Sequence, residues 1–247
     1  MNILDYVSGE DKTDVPLLSG VCPAVVTNIN DPDKLGRVKV KLLILDLPDY
    51  ETDFIRVATP MSGASWGMLF FPNVGDEVLV AFCGGDISRA YVIGSLWNKN
   101  FKTPVEIEEK NPIRMIQTKA GHKLVFDDTD GKEKITVSTK GELSVTMDDE
   151  KNKITLKDKD GKNLVVIDSN NGTITITAEK KVNISAGSTK IILEDSGNLS
   201  ASADSSVRIK SSKVSLKGDN TEVTASGSLK LSSDGQTAVK GAAVKIN

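Results

Sequence analysis

The chain has 247 residues, with 31 basic and 34 acidic side chains, a single histidine and a net charge of −3. That balance excludes the dense basic surface that nucleic acid or anionic lipid demands, and the longest apolar run, residues 78–83, is far too short to span a bilayer. The start MNILDYVSGEDK has neither the cationic nor the apolar region of a secretory signal, so a soluble chain that bypasses general secretion is expected.

The averages hide a break. All eight prolines lie at or before Pro112, and of the eleven aromatic side chains only Phe126 lies beyond Phe101. Residues 127–247 hold no Pro, Phe, Trp or Tyr yet stay rich in Ser, Thr, Lys, Asp, Val, Ile and Leu. Residues 1–112 carry 10 basic and 16 acidic side chains, the remainder 21 and 18. Two architectures are therefore joined near residue 112. Cys22 and Cys83 do not make a disulfide framework; they fit a reduced cytosolic origin and are expected to be small core residues.

In chain order, residues 1–17 are acidic and little patterned, and are read as an N-terminal docking arm. Residues 20–28 are apolar with small side chains and lead into the turn Asp31-Pro32-Asp33, where Pro presets φ and Asp side chains cap nearby N–H groups. Gly36-Arg37-Val38-Lys39-Val40-Lys41-Leu42 alternates with period two, as a half-buried strand does. A strand is expected at 54–58, then a Gly/Ser-rich loop at 63–67, the apolar run 68–71, the turn Pro72-Asn73-Val74-Gly75-Asp76, and strands at 77–82 and 90–94. Five or six short strands without a helical stripe suit a small closed barrel, which removes exposed sheet edges.

These residues carry a resemblance. Gly20-Val21 and Asn30-Asp31-Pro32-Asp33-Lys34-Leu35-Gly36-Arg37-Val38-Lys39-Val40 resemble the first two strands of the OB-fold in phage baseplate assembly protein V and the VgrG spikes of type VI secretion. The similarity continues through Ile55-Arg56-Val57-Ala58-Thr59-Pro60, Pro72-Asn73-Val74-Gly75-Asp76-Glu77-Val78, Gly85-Asp86 and Val92-Ile93-Gly94-Ser95-Leu96. The OB-fold barrel is placed at 18–100 and a neck at 101–112. Some OB-folds bind oligonucleotides through exposed aromatics among basic residues; here the aromatics have apolar or acidic neighbours, so no nucleic acid is expected.

The region 113–247 reads differently. Short alternating segments at 134–137, 142–147, 153–156, 173–176, 181–184, 190–193, 206–209, 213–216, 228–231 and 244–246 recur at intervals of about 7–11 residues, with Asp-Gly, Asn-Gly or Ser-Gly pairs between them. One face of each is aliphatic and the other is Lys, Thr or Ser. A single-chain β-helix needs longer coils. The expectation is an all-β chain in which the barrel is followed by an intertwined triple-stranded β-helix, a trimeric prism needle with one strand per chain at each level. Its core is assigned to Ile135, Val137, Leu143, Val145, Ile154, Leu156, Ile174, Ile176, Val182, Ile184, Val207, Ile209, Val214, Leu216, Leu229 and Leu231. An isolated copy is expected to leave both strand edges unpaired and its aliphatic row wet, which makes an obligate homotrimer.

The segment Ile116-Gln117-Thr118-Lys119-Ala120-Gly121-His122-Lys123-Leu124-Val125-Phe126-Asp127-Asp128-Thr129-Asp130-Gly131 is similar to the one with which the family's needles leave the barrel. The resemblance implies a structural central spike of a contractile injection machine: a phage tail, a tailocin or a related particle. It further implies a position in the baseplate on a separate hub protein, with synthesis in the bacterial cytoplasm and piercing of the target cell envelope on sheath contraction. A PAAR-type tip protein is implied as cap, with Ala242, Val244, Ile246 and Asn247 as its platform, because the strand pattern is still running there. The His-x-His motif of iron-bearing tips is absent.

No catalytic, metal or cofactor site is expected. His122 would have to serve any triad, and no Gly-x-Ser-x-Gly accompanies it. Three copies of His122 near one axis could hold a metal, or His122 could be a hydrogen-bonded residue at the needle's start. Asp128-x-Asp130-Gly131 lacks the spacing and closing Glu of a calcium loop and reads as a turn. The interval 96–111 is too short for the lysozyme domain some phage spikes carry. A trimeric receptor- or glycan-binding tail fibre remains the alternative, although the aromatic-rich head usual for one is missing.

Overall fold

The structure is a computed structural model that describes residues 20–43 and 51–246; the docking arm and Asn247 lie outside the described residues. It divides into two compact units, the first ending at Lys119 and taking in Val125–Asp130, the second made of Ala120–Leu124 and the chain from Gly131 onward.

The first unit holds β1 (Val21–Asn28), β2 (Arg37–Leu42), β3 (Ile55–Val57), β4 (Ser62–Gly63), β5 (Trp66–Gly67), β6 (Glu77–Phe82) and β7 (Ala90–Ser95). Five of them close into a barrel in the order β1-β2-β3-β7-β6. All neighbours are antiparallel except β3 and β7. The period-two pattern decides which side chains go in: Cys22, Ala24 and Val26 from β1, Val38, Val40 and Leu42 from β2, Val78, Val80 and Phe82 from β6, and Ala90 and Val92 from β7 are buried with Ile55. Small and β-branched residues dominate because the interior of so small a barrel is just wide enough for them. Among the described residues Thr52 is the one buried polar residue of this core, and its hydroxyl accepts the Val40 N–H at 3.1 Å.

The β1–β2 connection is organised by one carboxylate. Asp31 accepts backbone N–H groups from Asp33 (3.1 Å), Leu35 (2.9 Å) and Arg37 (3.3 Å), and takes the Arg37 guanidinium through Nε (2.9 Å) and Nη2 (2.6 Å). Lys34 and Gly36 sit at φ 55° and 69°, so the turn visits the left-handed region twice within three residues. The Arg37 guanidinium holds the Asp31 carboxyl far below the usual carboxylate range. Arg37 is thus a turn clamp rather than a solvated strand residue.

Two local expectations change. Cys22 is buried, but Cys83 is exposed, because it opens the β6–β7 turn where Gly84 and Gly85 take φ 64° and 81°. The loop at 63–67 is a tight hairpin, β4 paired to β5, in which the Trp66 indole lies where a Cβ on Gly63 would stand. Residues 68–71 then run without strand pairing.

Ten strands follow. β8 (Ile113–Gln117), β9 (Lys123–Asp127), β10 (Lys134–Ser138), β11 (Ser144–Asp148), β12 (Lys153–Lys157), β13 (Leu164–Asp168) and β14 (Thr173–Thr177) form one sheet in strict sequence order. β15 (Lys181–Ala186), β16 (Thr189–Glu194) and β17 (Leu199–Ser202) form another. From β10 to β14 the register is unbroken and antiparallel, so residues stand in columns. One face carries two aliphatic columns, Ile135-Met147-Ile154-Ile167-Ile174 and Val137-Val145-Leu156-Val165-Ile176. The opposite face carries Thr136-Thr146-Thr155-Val166-Thr175, flanked by a column of alternating charge, Lys134-Asp148-Lys153-Asp168.

The turns also stack. Asn152 Nδ2 donates to Asn170 Oδ1 (3.2 Å) and Asn170 Nδ2 to Lys151 O (3.1 Å) on one margin; on another the Glu179 N–H reaches Asn163 Oδ1 (3.1 Å), and Lys162 pairs with Glu179. Partners lie 16 to 19 residues apart, which is two strands with their turns. The expectation that an isolated copy leaves strand edges unpaired is therefore corrected for β10–β14 and for β16: consecutive strands of one chain pair with each other. β13 and β17 were not expected at all. β13 reads Leu-Val-Val-Ile-Asp, a continuous apolar run with no alternation, and β17 is small and polar. Conversely, the strands expected at 206–209, 213–216, 228–231 and 244–246 do not form, and almost every described side chain from 203 onward is exposed.

Two outcomes test these contacts. Asp31→Ala should lower the melting temperature of the barrel more than Asp31→Asn, which keeps an acceptor for the turn N–H groups; equal melting by circular dichroism would contradict the clamp. Asp168 is held down at about 2 by Lys153, 2.9 Å away, and by Asn171. Its folded value lies below the unfolded value of about 3.9, so its contribution is whole above about pH 4 and is lost as pH falls towards 2. Melting temperature should drop across that window, and less so in Asp168→Asn.

Candidate functional site: two uncovered apolar surfaces

Among the described residues no group of three or more His, Cys, Asp and Glu is placed to hold a metal, and no helix is long and apolar enough to cross a membrane. His122 accepts a hydrogen bond from the Lys140 N–H at 3.4 Å. Asp128 pairs with Arg114 at 3.1 Å, and Gly131 takes φ 70° in the turn that follows. What stands out instead is apolar surface.

The first surface is the aliphatic face of the β10–β14 sheet. It exists because alternation puts i and i+2 on one side and the register aligns them across strands. Ile135, Val137, Val145, Ile154, Leu156, Ile174 and Ile176 all stand in its two columns, and Ile174 is 71% exposed. The sequence reading missed Met147, Val165 and Ile167, which complete those columns; the long interval between β12 and β14, bracketed by Gly161 and Asn171-Gly172, was the available signal. Leu143 lies before β11 in a turn, its N–H donating to Thr139 Oγ1 at 3.2 Å. Val182 and Ile184 begin equivalent columns in the smaller sheet, Val182-Leu193-Leu199 and Ile184-Ile191-Ala201.

Val207, Ile209, Val214, Leu216, Leu229 and Leu231 lie in the unpaired stretch and are exposed, Leu231 at 76%. Ala242, Val244 and Ile246 are exposed as well, Ile246 at 91%. Asn247 falls outside the described residues. The opposite face of the large sheet needs no cover: its threonines hydrate readily, and its charges pair, Lys153 with Asp168 at 2.9 Å and Lys151 with Asp148 at 2.8 Å.

The second surface is a cleft of about 810 Å³ within the first unit, lined by Met68, Phe70, Leu96, Trp97, Phe101 and Pro104 and by residues 115–119. Next to Trp97 the chain is tied to the barrel by Asn98, whose Nδ2 donates to Glu77 Oε2 at 2.6 Å while its own Oδ1 accepts the N–H groups of Asn100 (2.8 Å) and Phe101 (2.9 Å). The chain thus turns tightly and presents Trp97 and Phe101 outward.

Comparison with known proteins follows this geometry. Residues 22–97, which hold the five barrel strands, match the Type VI secretion system/phage-baseplate injector OB domain. The chain is 33% identical over 104 residues to the type VI secretion system spike protein VgrG1a of Pseudomonas aeruginosa, covering 39% of this chain and 16% of that protein. It is 32% identical over 104 residues to VgrG1c of the same organism, covering 39% and 14%. To the spike protein VgrG3 of Vibrio cholerae it is 26% identical over 111 residues, covering 42% and 11%. In each case the matched segment spans a sixth or less of the relative's length. The barrel thus matches the injector OB domain, and about two fifths of the chain is similar to VgrG spike proteins.

Proposed function

We propose that the chain is the structural central spike of a contractile injection machine, working as a homotrimer with no catalytic role of its own. The observation that carries the reading is the uncovered pair of aliphatic columns on a single-layer sheet, joined to an injector OB domain. A strand of five residues spans about 17 Å, a width that suits one side of a three-sided prism. Three such faces turned inward cover one another and leave the threonine and charge columns in water. Residues 203–246 keep the same alternation without a partner in their own chain, and edge pairing with two further copies gives their backbone groups the ladder they lack.

In this reading the barrel docks on the baseplate hub, in a phage tail, tailocin or related particle, and the spike pierces the target envelope when the sheath contracts. Load passes along the stacking direction, in which strand is hydrogen-bonded to strand. Ala242, Val244 and Ile246 form the platform for a PAAR-type tip protein.

The test uses the face. In a host producing the particle, Ile154→Asp with Ile174→Asp should abolish trimer formation in sedimentation and delivery into target cells, whereas Thr155→Asp, on the opposite face, should preserve both. Normal delivery by the first variant would refute the spike. Deleting residues 241–247 should abolish binding of the tip protein and leave the trimer intact; tip binding that survives would refute the platform.

A further inference from the structure

One charged side chain of the second unit has no part in the aliphatic face and is nevertheless buried. Asp168 is 7% exposed, at the end of β13, and three donors converge on it. Lys153 Nζ lies 2.9 Å from Oδ2, the Asn171 N–H donates to Oδ1 at 3.2 Å, and Asn171 Nδ2 donates to Oδ2 at 2.9 Å. Asp148 organises the turn two strands earlier in the same way, accepting the Lys151 N–H at 2.9 Å and Lys151 Nζ at 2.8 Å. The two turns are stacked, since the Ser169 N–H donates to Asn152 O at 3.0 Å. They differ in the clamped residue and the one after it. Where the first has Lys151-Asn152, the second has Asn171-Gly172, the single Asn-Gly pair in the sequence.

Asn-Gly is a chemically weak step in a backbone, because glycine has no side chain to hinder its nitrogen from approaching the asparagine Cγ. Here Asn171 and Gly172 are exposed, and the Gly172 N–H has no acceptor among the described residues. A Cβ added at Gly172 would meet nothing within 4 Å, so the neighbourhood leaves room for rearrangement. One feature opposes it. The Asn171 carboxamide is drawn back to residue 168, whereas ring closure needs its Cγ over the nitrogen of the residue that follows. Both Asn171 bonds end on an ionised carboxylate, and such bonds are stronger than neutral ones.

We infer that Asn171 is a deamidation site of this chain and that Asp168 is the positioning residue that sets its rate. In the reaction the Gly172 nitrogen gives its proton to water and bonds to Asn171 Cγ; the Cγ–Nδ2 bond breaks and ammonia leaves. Water then opens the cyclic imide, on one side to aspartate and on the other to isoaspartate, whose backbone runs through Cγ. Either product removes the Nδ2 donor and puts a second carboxylate in the turn beside Asp168; isoaspartate also lengthens the turn. Each event loosens the β13–β14 connection, so the second unit loses stability with age whether or not copies associate.

The purified full chain, held in mildly alkaline buffer, is sampled over weeks by tryptic peptide mapping with mass spectrometry. The peptide from Asn163 to Lys180 contains both Asn170 and Asn171. Conversion to aspartate and isoaspartate should be at least tenfold faster at Asn171 than at Asn170. Gly172→Asn should slow it at least tenfold, asparagine being the residue that takes φ 54° at the equivalent position 152. Asp168→Asn should speed conversion at Asn171 at least threefold and leave Asn170 unchanged, with the circular dichroism spectrum retained. Unfolding the wild-type chain in guanidinium should speed it at least as much. Equal rates at Asn170 and Asn171 overturn the site. A wild-type rate in Asp168→Asn overturns the role of Asp168, and so does equal conversion of the native and unfolded wild-type chains, a comparison that needs no variant to fold.

Discussion

A sheet one layer thick, whose aliphatic face stands exposed among the described residues, sets the terms for the rest of this molecule. The columns through Ile154 and Leu156 run without interruption across five strands. Monomeric proteins seldom leave a continuous apolar patch of this size in water. The barrel is different: its twelve buried hydrophobic side chains form one enclosed cluster. One chain therefore joins a domain with its own core to a sheet whose aliphatic face is exposed, and the proposed trimer is the arrangement in which both are satisfied.

The pairing within the chain sharpens this division of labour. Hydrogen bonds from β10 to β14 and from β15 to β17 are made locally, between strands adjacent in sequence, so each copy can order these sheets before it meets another. In the proposed trimer, association adds apolar burial there. In residues 203–246 the same type of sequence has neither, and the proposed trimer would supply both the backbone ladder and the burial. The account thus distinguishes a region that folds and then associates from one in which the two events coincide. Turn-to-turn contacts such as Asn152 with Asn170 tie alternate connections along the sheet margin, adding resistance to shear in the direction in which a spike would be loaded.

Much of this was legible in the sequence, for physical reasons that also mark where reading stops. Alternation in Lys-Ile-Thr-Val-Ser and Lys-Ile-Thr-Leu-Lys reports a two-faced strand directly, because side chains in a strand point to opposite sides. Leu164–Asp168 escaped because four apolar residues in succession carry no period, although the register puts Val165 and Ile167 in the same columns as their neighbours. Exposure of Cys83 depends on a turn whose geometry is set by two glycines after it. The opposite error, strands expected beyond 203, shows that alternation states which faces a segment could have and not which partner pairs with it. Composition could not show the cleft at Trp97, since aromatics in a barrel domain are ordinarily core; only the local fold, pinned by Asn98, turns them outward.

The most direct measurement is the mass of the purified full chain in solution by sedimentation equilibrium. The account requires a particle of three times the chain mass that persists on dilution. A well-ordered species of single-chain mass, with the β content of the sheets retained, would contradict it.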